Sequence, residues 1–263
     1  MLAAKATLED VKFPCLVSAK IDGIRCIITP EGPMTRNGKP IPNDYVRNIL
    51  AKLPIGLDGE LVVGRPCAKD VFRVTSSAIR SKKGMPDFKF CVFDKIMEAP
   101  YRTREQVVRE NCHVANSYHV SVIHQSYGDN IEKLRELEQC YLEAGYEGIC
   151  TRSLDGKYKN GRSTLKEQGL LKIKYFVDDF TVITGVEKAV SETKQDQVGK
   201  FQCLFNGIEF EIGMFEASEK QKIEMWENRE KLLGKVIKFK YFPVGAYEAP
   251  RHAVFLGFSD EML

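Results

Sequence analysis

Lys20-Ile21-Asp22-Gly23-Ile24-Arg25 follows a short apolar run, Cys15 to Ala19, and leads into a second one that begins at Arg25 and ends at Thr29. Both runs have the composition of strands. A lysine at a strand end, followed by a glycine that lets backbone approach closely, suits attack on a phosphorus atom. The amine must first lose its proton. Partial burial and the neighbouring cations Arg25, Lys172 and Lys174 are expected to lower its pKa. Read alone, the hexapeptide also fits a plain strand-turn-strand corner with surface charges.

Three further stretches favour the chemical reading. Leu57-Asp58-Gly59-Glu60-Leu61 sets a carboxylate, Glu60, at the start of an apolar strand, and Tyr146-Glu147-Gly148-Ile149 repeats the device with Glu147. Two carboxylates near a lysine nucleophile suit a divalent cation held against ATP oxygens, because magnesium prefers hard oxygen ligands. Leu170-Leu171-Lys172-Ile173-Lys174 alternates, so Lys172 and Lys174 project from one strand face and would bracket a phosphate.

Outward from these stretches the pattern is α+β. Leu57 to Val63, Lys89 to Asp94, Gly148 to Arg152 and Leu171 to Tyr175 read as further strands of a mixed sheet. A helix is expected from Ile131 to Ala144, capped by Asn130 and stopped by Gly145, and another over Asp44 to Leu53. After Phe176 strands crowd together: Phe180 to Glu187, Lys200 to Phe205, Ile208 to Ile212, Val236 to Phe242 and Ala253 to Phe258. One helix interrupts them. It begins at Ser218 with a capping box to Gln221, turns Ile223 and Trp226 inward and ends at Gly234. Five strands and one helix in about ninety residues suit a small closed barrel of the oligonucleotide-binding type.

With 263 residues, 43% hydrophobic and 29% charged, the chain can bury a substantial core. It has no apolar run near the roughly 20 residues that cross a bilayer, and residues 1–13 lack a signal architecture. A cytoplasmic location and no membrane partner are expected. The eight cysteines form no C-x-x-C pair and read as reduced core residues, since only four histidines exist and none is spaced with them as a metal ligand. A net charge of +3 hides two basic clusters. One comprises Arg152, Lys157, Lys159, Arg162, Lys166, Lys172 and Lys174; the other comprises Lys231, Lys235, Lys238 and Lys240. Such runs are usually solvated faces, but beside a phosphate-handling site they point to nucleic acid.

In their order along the chain these stretches resemble the motifs of the covalent nucleotidyltransferases, the family of ATP-dependent DNA ligases, RNA ligases and RNA capping enzymes. The resemblance is to the minimal viral and phage DNA ligases in particular and runs from about Phe13 to Phe258. It includes Asp155-Gly156-Lys157-Tyr158-Lys159, Gly161 to Glu167, and Val236-Ile237-Lys238-Phe239-Lys240-Tyr241-Phe242. It implies a nucleotidyltransferase (adenylation) domain over residues 1–175, with mixed sheets and flanking helices, followed by an OB-fold barrel over 176–263.

The same resemblance assigns roles. Lys20 becomes adenylated by ATP, and Arg25 reaches the ribose or the nick phosphate. Arg36, in Thr35-Arg36-Asn37-Gly38-Lys39, contacts phosphate. Glu60 binds the ribose or positions metal, Glu147 supports the metal, and Phe93 stacks on adenine. Lys172 and Lys174 hold the α-phosphate, and Arg162 is a further phosphate contact. Arg251, in Pro250-Arg251-His252-Ala253-Val254-Phe255-Leu256-Gly257-Phe258, acts from the barrel, which would close over ATP and then open to admit DNA.

Three departures stand out. Ser259 replaces an arginine common two residues beyond Gly257, Ser18 replaces an acid common two residues before the lysine, and the Lys188 to Lys200 segment is too short for the long basic DNA latch of a viral member. DNA would therefore be gripped by the Thr75 to Gly84 loop, with Arg80, Lys82 and Lys83, and by the barrel lysines Lys238 and Lys240. The implied substrate is nicked duplex DNA, the implied cofactors are ATP and magnesium, with manganese as a substitute, and the enzyme is expected to be a monomer with no protein partner. An RNA ligase, a capping guanylyltransferase and a non-catalytic nick-binding module are the competing readings.

Overall fold

Val17, Ile149, Leu171 and Ile173 alternate with other residues along their strands, and this period of two turns them to one side of a sheet, against Leu134 of a helix. The structure is a computed structural model and describes residues 1–190, 196–242 and 249–259. They divide into two compact units, Met1–Lys174 and Tyr175–Leu263. In the first unit the chain runs through β1 (Ala4–Lys5), β2 (Cys15–Ala19), β3 (Ile24–Thr29), β4 (Gly32–Thr35), α1 (Asp44–Leu50), β5 (Leu57–Val63), α2 (Val71–Arg80), β6 (Phe88–Lys95), α3 (Tyr101–Ala115), β7 (Val120–Val122), β8 (Ser126–Gly128), α4 (Ile131–Glu143), β9 (Gly148–Ser153) and β10 (Leu171–Lys174). They build two five-stranded sheets, ordered β1-β10-β9-β2-β8 and β4-β3-β5-β6-β7.

β2 lies in the first sheet and β3 in the second, so Lys20 to Gly23 carry the chain from one to the other. The crossing is tight. A Cβ on Gly23 would lie 2.2 Å from the Leu61 carbonyl oxygen and 2.9 Å from Cγ of Glu60, so only glycine lets the crossing pass this close to β5. The first sheet buries its apolar face against α4, whose N-cap Asn130 accepts from the Lys133 amide at 2.7 Å. The second sheet shares a core with α1, α2 and α3 through Val46, Leu50, Ile79 and Val108.

Several expectations are corrected here. α1 stops at Leu50 because Ala51 to Leu53 close as turns. The segment expected as a loop from Thr75 is helical as far as Arg80; α2 turns Thr75 and Ser76 inward beside Val71 and Ile79, which hides its stripe from an apolar-periodicity reading. α3 escaped notice for a similar reason, since it buries only Tyr101, Arg104 and Val108. The cysteines are free, but they are not all core residues: Cys15, Cys26, Cys91 and Cys203 are buried and Cys140 is exposed.

A buried charged group joins the two sheets. Asp94 on β6 accepts from Nε of Arg104 at 2.7 Å and from Nη1 of Arg152 on β9 at 2.8 Å. Arg104 also donates to the Ala99 and Gly156 carbonyls, at 2.6 and 2.7 Å. Asp94 and Arg104 are fully buried and Arg152 is 3% exposed. Arg152 therefore belongs to the interior, not to the solvated basic run in which its sequence position put it.

The second unit comprises β11 (Val177–Lys188), β12 (Val198–Phe205), β13 (Ile208–Gly213), α5 (Glu219–Glu227), β14 (Val236–Phe242) and β15 (Arg251–Phe258), and its strands close into a barrel ordered β11-β12-β13-β15-β14. The capping box at Ser218 and Gln221 forms, but α5 ends at Glu227 and a 3-10 turn, Arg229–Leu232, leads on toward Gly234. Met225 is its buried residue, with Trp226 only partly covered and Ile223 outside the barrel core. Along β14, Ile237 and Phe239 point inward while Lys238 and Lys240 stay on the outer face. The segment read as too short for a latch includes residues 191–195, which lie outside the described residues. No helix among the described residues is long and apolar enough to cross a membrane.

Replacing Arg104 by Met would leave Asp94 with one guanidinium and strip two part-buried carbonyls of their donor. Denaturant unfolding should show the variant less stable by about 3–5 kcal/mol, the range for breaking a buried ion pair. A change below about 1 kcal/mol would mean that the pair does not hold the sheets together.

Candidate active site

Lys20 comes directly after β2, where its amide donates to the Gly148 carbonyl at 2.9 Å. That bond sets the lysine beside the residue preceding Gly148. Glu147, 4% exposed, receives Nζ of Lys20 on one carboxylate oxygen and Nζ of Lys174 on the other. The approach of β9 to β10 depends on Gly148, which has a φ of 144° and whose Cβ would lie 2.2 Å from the Ile173 carbonyl.

These contacts decide protonation. Burial pushes the Glu147 carboxyl up, but the two amines outweigh it and hold the group below the usual carboxylate range. For Lys20, burial is the largest influence and favours the neutral amine. The charge and hydrogen bond of Glu147, with smaller contributions from Cys150 and Asp22, overcome it, so the pKa is raised. This reverses the expectation of a lowered value; cations are near, yet a carboxylate is nearer. Lys172 is lowered by burial first and then by Lys174, Lys20 and Arg162. Glu60 on β5 behaves opposite to Glu147: burial drives its carboxyl up to about 8 against the pull of Lys20 and Arg25.

Arg25 opens β3 with its guanidinium locked. Nε and Nη2 donate to the two oxygens of Asp58 at 2.9 and 2.5 Å, and the Tyr158 hydroxyl donates to the same acid at 2.9 Å. The Phe93 ring has the guanidinium carbons of Arg25 and Arg152 at 5.7 and 5.4 Å from its centroid. Ser18, Lys20, Glu60, Phe93, Cys150, Arg152 and Lys172 line a cavity of about 170 Å³ between the sheets, with Arg25 on its wall. Arg25 also borders a larger cavity, about 640 Å³, that contains Arg36 and Tyr158. The structure thus brings Lys20, Arg25, Glu60, Phe93, Glu147, Lys172 and Lys174 together, with Arg36 beyond Arg25.

Other expected residues lie elsewhere. Arg162 is exposed and donates to the Ala3 carbonyl at 2.6 Å. Arg80 closes α2, and Lys82 and Lys83 are exposed in the loop after it. In the second unit Lys238 pairs with Asp178 at 2.9 Å, Lys240 with Glu216 at 2.5 Å, and Arg251 begins β15 with its guanidinium 5.9 Å from the Phe242 ring centroid. Sequence reasoning missed Asp58, Asp94 and Arg152. Each is a charged residue buried within a strand that also carries apolar residues, and that incongruity was the available signal.

No three His, Cys, Asp or Glu side chains converge on a metal position among the described residues. Lys20 acts on both Glu60 and Glu147, and their carboxylate oxygens are of the hard kind that suits magnesium, which binds one or two carboxylates when phosphate oxygens and water complete its shell.

The model of the ATP-dependent DNA ligase domain matches residues 1–174. A crystal structure of the chlorella virus DNA ligase-adenylate is similar over 100% of this chain and 98% of its own, at 34% identity and a TM-score of 0.59. A structure from a study of the Lig E DNA ligases shares the fold at a TM-score of 0.83 and 24% identity, over 98% of both chains. A search of the curated proteins gave no match. The lysine between two sheets and the match over all of the first unit lead to one conclusion: the chain belongs to the ATP-dependent DNA ligase family.

Proposed function

We propose that this ATP-dependent DNA ligase forms its lysyl-adenylate on Lys20 and uses it to seal 3′-hydroxyl/5′-phosphate nicks in duplex DNA. The observation that carries the reading is the Lys20 amine, at the crossing between the sheets, sharing one buried carboxylate with Lys174 on the edge of a cavity. Residues 1–174 act as the adenylating domain and 175–263 as the barrel domain.

In the first step Nζ of Lys20 bonds to the α-phosphorus of ATP, the bond to the β-phosphate oxygen breaks, and pyrophosphate leaves. AMP then passes to the 5′-phosphate of the nick, and the 3′-hydroxyl displaces it as the new phosphodiester forms. Glu60 and Glu147 would hold magnesium together with phosphate oxygens, and the ion, when bound, offsets charge on those oxygens. With Glu147 drawn away from Lys20, burial becomes the dominant influence on the amine and favours its neutral, nucleophilic form. Lys172 and Lys174 face the phosphates from one strand, Phe93 stacks on the base, and Arg251 orients the leaving pyrophosphate. Arg36, Arg80, Lys82, Lys83, Arg162, Lys238 and Lys240 meet DNA phosphates, and the enzyme works as a monomer.

Lys20→Ala should lose all transfer of label from α-labelled ATP to protein while keeping its fold by circular dichroism; a persistent adduct in that variant would remove the assignment. A nicked DNA duplex and a nicked RNA duplex, offered separately, should show sealing of the DNA alone.

Because folded Lys20 holds its proton more tightly than an ordinary lysine, its pair with Glu147 adds stability in full below pH 10.5 and loses it as pH rises through the raised value. The Glu147 contribution is full above 4.5 and fades as pH falls through the lowered value. In chelator-treated protein, competitive acetylation of Lys20 should titrate above ordinary lysines, and Glu147→Gln should move that midpoint down because burial remains. An unmoved midpoint would show that Glu147 does not control the nucleophile.

If Lys82 and Lys83 each neutralise one phosphate, exchanging both for Ala should weaken nick binding equally across sequences. It should also reduce the slope of log affinity against log salt by about 2. An unchanged slope in a filter-binding series would place DNA elsewhere.

A further inference from the structure

Arg152 combines two properties that rarely coexist in a residue with a purely structural role. Its Nη1 is bound to Asp94 at 2.8 Å, and the side chain is 3% exposed. Its Nε, however, is buried with no hydrogen-bond partner, and the residue forms part of the wall of the cavity that holds Lys20. A buried donor left unpaired is destabilising, which a folded protein tolerates where a ligand completes the bond.

Strand register shows which part of a ligand would do so. On the cavity face of the first sheet, Ser18 lies opposite Cys150, and Lys172 lies on the other side of Cys150. Arg152 is the next cavity-facing residue of β9, opposite Leu16. Leu16 precedes Lys20 by four residues, about 13 Å at the rise of a strand. A nucleotide joined to Lys20 through its phosphorus and lying along this row would carry its base toward Arg152. The Phe93 ring, 5.4 Å from the guanidinium carbon of Arg152, borders the same end of the cavity.

We propose that Arg152 is a base-recognition residue whose Nε–H donates to a ring nitrogen of adenine on the edge away from the sugar, N1 or N7. An N–H group can only donate, so it cannot serve the exocyclic N6 amino group and must meet an acceptor. Asp94 holds the guanidinium through Nη1, so Nε is presented in a fixed direction at no further ordering cost. The inference rests on the reading of this cavity as the nucleotide pocket.

The test uses equilibrium binding, which separates recognition from the chemical step. ATP with a methylene in place of the α,β-bridging oxygen cannot adenylate Lys20. Its affinity and those of its 1-deaza, 3-deaza and 7-deaza counterparts would be measured by calorimetric titration against the wild type, Arg152→Lys and Arg152→Met. The wild type should bind either the 1-deaza or the 7-deaza compound about tenfold or more weakly than the parent, with the 3-deaza compound unaffected. Both variants should bind the parent weakly and lose that discrimination, because the lysine keeps the charge beside Asp94 and the methionine keeps the length, but neither has an N–H donor where Nε stood. Equal binding of all four compounds by the wild type would overturn the proposal even if a variant failed to fold. Discrimination retained in either folded variant would overturn it too. If the parent compound did not bind the wild type at all, the nucleotide reading of the cavity itself would fall.

Discussion

One buried carboxylate, Asp94, sets the relation of the two sheets on which the site depends. Its partners come from α3 and β9, and β6 supplies the acid, so three elements meet at hydrogen-bond length in the interior. Desolvating each ion costs several kcal/mol, and the group is stable only when its charges and donors are satisfied together. Arg104 meets that condition through two carbonyls as well as the acid. The neighbouring residue on β6, Phe93, is held on the cavity by the same restraint, so the width of the cavity beside Lys20 follows from this ion group.

The two carboxylates beside Lys20 show how position, not residue type, assigns a role. Glu147 lies between two amines and stays ionised despite burial, whereas Glu60 is buried with weaker compensation and is pushed up to about 8. In the absence of a cation, a pair of acids driven apart in this way leaves Glu147 ionised and Glu60 the more readily protonated of the two. The same contest governs Lys20 in reverse. Its raised pKa keeps the amine protonated, so the proposed attack by Lys20 requires that Glu147 first be drawn away.

Much of this was legible in the amino-acid order. The Lys20 to Arg25 stretch, the alternation around Lys172 and Lys174 and the Ser218 capping box depend on local chemistry, and each appears where local chemistry puts it. What stayed hidden depends on partners distant in sequence. α2 and α3 bury Thr75, Ser76 and Arg104 instead of an apolar stripe, because the groups that satisfy them arrive from other elements. The protonation of Lys20 was misread for the same reason: Glu147 is 127 residues away, and nothing in the hexapeptide shows that its carboxylate, rather than Lys172 or Lys174, makes the closest contact.

The cations of this nearly neutral chain can be sorted by what holds them, and the sorting bears on how it grips a polyanion. Arg25, Arg104 and Arg152 are bound to buried acids and cannot be withdrawn without exposing an uncompensated charge, so their first effect is to shape the pocket. Lys238, pairing with Asp178 at the surface of the barrel, is held by an interaction worth at most about 1 kcal/mol, which a phosphate can replace. Arg36, Arg80, Lys82 and Lys83 are exposed with no carboxylate partner among the described residues. A net charge of +3 is compatible with the proposed nick binding, because acids such as Asp58, Asp94 and Glu147 are already matched by cations inside the fold.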